Sequence, residues 1–130
     1  MTPSQQAAAI FALYAADLPP YNNAADVGVL SALQCWLSEW QSRNLGAATL
    51  EQLALGVAEE SGELAHSILK HSQGIRGMDD REAFRAAAGD AIADCAVFLI
   101  QMCTLLRLDF QELVHATADQ VMGRNWKKED

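Results

Sequence analysis

The chain has 130 residues, 51% of them hydrophobic, and a formal net charge of −8 at pH 7. This length suits one domain with a real core, and the acidic surplus argues against a nucleic-acid polymer or an anionic membrane as partner. There is no uninterrupted apolar stretch of membrane-span length, no basic secretory leader and no Cys-x-x-Cys pair among Cys35, Cys95 and Cys103, which together predict a cytoplasmic protein with reduced core thiols and neither a disulfide frame nor a zinc site.

In chain order, an Ala-rich pattern predicts a short helix over residues 5–17 that stops at Leu18-Pro19-Pro20. Residues 1–22 therefore read as an N-terminal helix and linker, and 23–130 as one compact helical domain. A second helix is expected from about Ala24 to Arg43, with Val29, Leu33, Trp36, Leu37 and Trp40 at 3/4 spacing. The third starts after Thr49, which forms a capping box with Gln52, and ends near His71. Residues 72–77 read as a loop, after which Asp79 and Glu82 predict the start of a long fourth helix reaching about Arg107. Asp109 with Glu112 repeats that signature before a last helix to about Met122. Period-two β-branched runs are missing, so the fold class is all-α: a four-helix bundle with an additional short N-terminal helix.

Two acidic clusters interrupt the long helices: Glu59-Glu60-Ser61-Gly62-Glu63 on the third and Asp90-Ala91-Ile92-Ala93-Asp94 on the fourth. An unpaired carboxylate is costly to desolvate, so acids seldom lie on a buried stripe. At 100° per residue, Leu53, Val57, Leu64 and Ile68 define a stripe; Glu60 projects about 20° outside it, Glu63 borders it about 60° further round, and Glu59 points well away. On the fourth helix Asp90, Phe98 and Gln101 lie within about 40° of Asp94. A short loop makes the two helices antiparallel neighbours, so Glu60, Glu63, Asp90 and Asp94 would face one another and repel unless cations intervene. Hard oxygen ligands suit Mg²⁺, with Mn²⁺ as an alternative. The competing reading rotates the helices and leaves these acids in solvent.

These residues carry a family resemblance. The run from Leu55 to Ala65, with Glu59-Glu60-Ser61-Gly62-Glu63 at its centre, resembles the first signature of the MazG-like all-α nucleoside triphosphate pyrophosphohydrolases. Asp94 followed by Cys95-Ala96-Val97-Phe98-Leu99-Ile100 is similar to the family's second signature. Trp40-Gln41-Ser42-Arg43-Asn44-Leu45 resembles the close of its first helix, and the stretch from Arg107 to Trp126 resembles its last helix and basic-aromatic end. The likeness spans about Val27 to Lys128. One departure stands out: the family's usual Glu three residues before the Asp falls at Ala91, with Asp90 one residue earlier, as in MazG-like sequences reading Asp-Ala-Ile-Gly-Asp.

The resemblance implies Mg²⁺-dependent hydrolysis of a (deoxy)nucleoside triphosphate to the monophosphate and pyrophosphate, in nucleotide-pool house-cleaning. It implies Glu60, Glu63, Asp90 and Asp94 as metal ligands and Glu59 as the residue that orients or deprotonates water, with solvated ion pairing as the other reading of Glu59. Lys70, Arg76 and Arg124 are candidates for phosphate contacts, against a plain solvent-exposed role. Trp40 is a candidate for base stacking, as is Trp36, against a place in the core; Trp126 either closes over substrate or packs on a neighbouring subunit. Family members pair subunits, so a homodimer or homotetramer is expected.

Two other classes fit some of the same residues. Glu63/His66 and Glu112/His115 are both Glu-x-x-His, and with Glu39 and Asp94 they mimic the ligand order of a ferritin-like di-iron oxidoreductase. A helical oligomer inactivated by Ala91 is the third reading.

Overall fold

The computed structural model describes Thr2, residues 29–46 and residues 48–127. The expected helix over 5–17, the 1–22 segment, the expected start of the next helix at Ala24 and the last three residues lie outside the described residues. Four helices follow in order: α1 (Val29–Asn44), α2 (Leu50–Gln73), α3 (Arg81–Leu105) and α4 (Phe110–Met122). Among the described residues there is no strand, and the protein is all-α.

The helix ends follow local chemistry. Thr49 and Gln52 form the expected capping box, with Gln52 N donating to Thr49 Oγ1 at 3.2 Å and Thr49 N to Gln52 Oε1 at 3.0 Å. Gly74, at φ 66°, closes α2 in a left-handed conformation that glycine adopts without steric cost; its N–H reaches His71 O, while Ile75 N reaches Lys70 O. Asp109 caps α4 by accepting from Glu112 N at 2.9 Å. Two expected boundaries shift. Asp80, not Asp79, caps α3, because Asp80 holds the extended backbone and its Oδ2 accepts from Ala83 N. α3 stops at Leu105 rather than Arg107, because Arg107 adopts φ 56° and the chain turns there.

Helices α2 and α3 form the dominant pair. Gly56 meets Phe98, Ser61 meets Cys95, and His71 stacks on Phe84; partners run backwards along α3 as α2 advances, so the two are antiparallel. His71 Nδ1 also lies 2.6 Å from Met78 O, tying the connecting turn to the end of α2.

Helix α1 packs on α3 and α4 but buries no residue fully. Polar clasps hold it. Gln111 Oε1 accepts from Leu30 N and Ser31 N, Asp109 accepts from Ser31 Oγ, and Gln34 links Thr104, Leu108 O and Phe110 N. The two bonds to Gln111 satisfy the Leu30 and Ser31 amides in the first described turn of α1.

The buried apolar side chains among the described residues are Leu53, Ala91 and Ile100. Leu55 (69% exposed), Ile92 (56%) and Trp36 (65%) face solvent. Cys95 and Cys103 are half-buried, but Cys35 is exposed among the described residues rather than a core thiol, because none of α2–α4 covers it. Helix α3 is long and apolar enough to cross a membrane, a test that core helices of soluble proteins also pass.

Candidate metal centre

Leu53, Gly56 and Ser67 are the buried positions of α2, and on a helical wheel they lie within about 40° of Glu60, on both sides of it. Glu60 thus occupies the middle of the α2–α3 seam. The seam is rotated from the stripe expected from Leu53, Val57, Leu64 and Ile68, and Ile68 is 51% exposed. The rotation has a packing cause. Gly56 has no side chain, so the Phe98 ring of α3 lies against the α2 backbone on that side. The acids turn inward as a result.

The Glu60 side chain is half-buried, and its Oε2 is fully buried with no hydrogen-bond partner. An orphan carboxylate oxygen strongly disfavours the ionised form. Burial is accordingly the largest influence raising the Glu60 pKa above its ordinary 4.5; the negative charges of Glu63, Asp94, Glu59 and Asp90 push the same way, in that order.

These carboxylates line two grooves along the α2–α3 seam. Glu60 and Asp94 share a cleft of ≈ 490 Å³ with Trp40, Leu37 and Gln41 of α1 and with Phe98 and Gln101 of α3. Glu59, Glu63 and Asp90 line a more open groove with His66. Among the residues lining either groove there is no Lys or Arg. Glu60 and Asp94 thus line one groove and Glu63 and Asp90 the other, and among the described residues no three Asp, Glu, His or Cys side chains form a group that could hold an ion. Glu59, expected to point well away, lines the groove with Glu63 and Asp90 because of the same rotation.

Other candidates stand elsewhere. Lys70 bonds Gln73 Oε1 at 3.0 Å and sits about 15 Å along α2 from Glu60 at 1.5 Å per residue. Arg76 lies beyond the end of α2, about 20 Å or more along the same axis. The Arg124 guanidinium lies over the Trp126 ring at 6.0 Å, and that ring is 82% exposed. None of these four lines the carboxylate grooves. Trp40 does, at 48% exposure, whereas Trp36 does not. Of the residues that mimic a di-iron set, Glu39 stands 4.0 Å from Arg43 and lines a groove with Asp109, and Glu112 occupies the first turn of α4. Neither lines the grooves around Glu60.

Gln41 and Phe98 escaped the sequence reading as parts of the site. Phe98 and Gln101 share the face of Asp94, which was the available signal; Gln41, one residue after Trp40, offered none.

Comparison with protein families, with curated proteins and with solved structures finds no match to this chain.

Proposed function

We propose that the Glu60–Asp94 cleft binds a nucleoside triphosphate with divalent cations and hydrolyses it to the monophosphate and pyrophosphate. One observation carries the reading: a buried, unpartnered Glu60 oxygen at a helix seam, its charge opposed by four further carboxylates, with no Lys or Arg lining either groove. An arrangement this repulsive is costly to fold unless a cation belongs to it. The donor set is all hard oxygen, which fits Mg²⁺ or Mn²⁺. Glu60, Glu63, Asp90 and Asp94 would hold the metal. The bound ion supplies charge neutralisation at the phosphates and a water of lowered pKa.

The chain's own residues do the rest. Glu59, which lines the groove with Glu63 and Asp90, would accept a proton from the attacking water as its oxygen bonds to phosphorus and the phosphoanhydride bond breaks, with pyrophosphate leaving. Trp40 and Phe98 offer flat apolar walls beside Glu60 and Asp94, suited to a base, and Leu37 helps to exclude water. The resemblance of Leu55–Ala65 to the MazG-like signature supports the same reaction. With Leu55 and Ile92 exposed and no cation lining the grooves, a homodimer or homotetramer fits the single chain better than a monomer. Lys70, Arg76, Arg124 and Trp126 are then candidates to approach substrate from a neighbouring subunit.

The test is pyrophosphate release from canonical and modified triphosphates with Mg²⁺ or Mn²⁺. Glu60→Gln and Asp94→Asn should each abolish turnover while the far-ultraviolet helix signal persists. Undiminished turnover in either variant removes that residue from the site.

A further inference from the structure

Helix α2 carries a bare face. On the helical wheel Leu55, Ala58, Gly62, Ala65 and Leu69 fall within about 40° of one direction, on the far side of the helix from Glu60 and the α3 seam. All five are exposed, Leu55 at 69% and Leu69 at 51%. Their 3-4-3-4 spacing is that of a coiled-coil seam, and it runs without a charge for about 21 Å. Gly62 sharpens the pattern. A glycine in mid-helix is less stable than an alanine there, yet a Cβ at Gly62 would meet nothing within 4 Å among the described residues. Packing within the chain gives no reason for it, whereas close approach of a second helix does.

The stripe is complementary to its own reverse. Laid antiparallel across a two-fold axis at Gly62, Leu55 faces Leu69 of the partner subunit and Ala58 faces the partner subunit's Ala65. The reciprocal contacts repeat, as an isologous interface requires. The same operation pairs charge. Glu59 and His66 stand seven residues apart on one edge of the stripe, so each Glu59 comes opposite His66 of the partner subunit. Glu59, Gly62 and His66 also line the open groove of Glu63 and Asp90, so a second helix seated on Gly62 walls that groove.

Resting on the proposed triphosphate hydrolysis, we infer that two copies of this chain pair through α2 about Gly62 and that the partner subunit's His66 is a positioning residue for Glu59. A ring N–H of that imidazole donates to the Glu59 carboxylate and holds it towards the water that it deprotonates. The site is incomplete in one chain.

Three measurements test this. In sedimentation, wild type should run at twice the 14.1 kDa chain mass or more. Gly62→Lys, which has room within the chain but sets a charge in the stripe, should halve that mass with its helix signal intact. In a Cys35→Ser background, Gly62→Cys should oxidise to a linked dimer, because the axis brings the two Cα atoms within the roughly 7 Å that a disulfide spans, while the background alone should not. Monomeric wild type, an assembly that survives Gly62→Lys, or a Gly62→Cys chain that fails to cross-link overturns the pairing and leaves the hydrolytic reading intact. His66→Ala should lose about tenfold in kcat with KM little changed, and Glu59→Gln should lose more. After subunit exchange, an equal mixture of the two should recover about a quarter of wild-type turnover, since half the pairs are mixed and each has one intact site. No recovery overturns the action of His66 across the interface. Wild type that turns over no triphosphate overturns the hydrolytic reading and the role of His66 together, while sedimentation and cross-linking still decide the pairing.

Discussion

The Phe98 ring lies on the bare backbone of Gly56: a Cβ placed at Gly56 would stand 2.6 Å from the ring's Cε1. This contact sets the rotation of α2 against α3 and, through it, the inward turn of Glu60. Gly56→Ala should gain about 1 kcal/mol of helix propensity but suffer about 1–3 kcal/mol of overpacking. We expect a net loss of stability in thermal denaturation, with metal affinity falling as well because the seam must open at Glu60. A more stable variant with unchanged metal affinity would show that the close approach is incidental.

The pH dependence of the metal-free protein has a definite sign. The Glu60 pKa is raised by folding, so the folded state holds this proton more tightly than the unfolded chain does. Its contribution to stability is complete below the unfolded pKa near 4.5 and is lost as pH rises through the folded value. In chelator, melting temperature should rise on acidification from about pH 7 to about pH 5. Glu60→Gln should flatten that slope and be more stable than wild type at neutral pH. A metal-free wild type that loses stability over the same interval as steeply as Glu60→Gln would contradict the burial of this carboxylate.

Helix α3 ends with Arg107 at φ 56°, Arg107 N donating to Thr104 O and Leu108 N to Cys103 O at 2.8 Å. This is the same closing pattern that Gly74 makes at the end of α2, built on a residue whose Cβ opposes it. Arg107→Gly should stabilise the protein by about 1 kcal/mol, read as a higher denaturation midpoint. Turnover should not change, because Arg107 lines neither carboxylate groove.

Gln111 is buried and its Oε1 accepts from the first amides of α1. Gln111→Leu strands those donors at a cost of about 1–2 kcal/mol. Hydrogen exchange should accelerate at Leu30 and Ser31 and along α1, and Trp40 should be held less firmly over the cleft. Unchanged protection of α1 would mean that its apolar contacts alone hold it.

Much of this was legible in the residues, and what was missed has physical causes. The Thr49–Gln52 and Asp109–Glu112 caps depend on neighbours in sequence, so their chemistry was visible directly. The pairing of Glu60 with Asp94 followed from helix period and a short loop. The rotation of the seam was hidden, because it depends on Phe98 finding the gap at Gly56, a contact across 42 positions. Glu59 was misplaced for that reason. The clasp on α1 was equally hidden, since Gln34 and Gln111 are 77 residues apart in a chain rich in ordinary glutamines. Lys70 and Arg76 looked close to the acidic cluster of α2 in sequence, but 1.5 Å per residue carries them far from Glu60.

The most direct measurement is calorimetric titration of Mn²⁺ into the metal-stripped protein, wild type against Glu60→Gln and Asp94→Asn. Wild type should bind and gain thermal stability, the more so at higher pH where the carboxylates are charged, and each variant should bind at least about tenfold more weakly. Wild-type protein that takes up no Mn²⁺, or variants that bind it as tightly as wild type, would contradict a cation site at the α2–α3 seam.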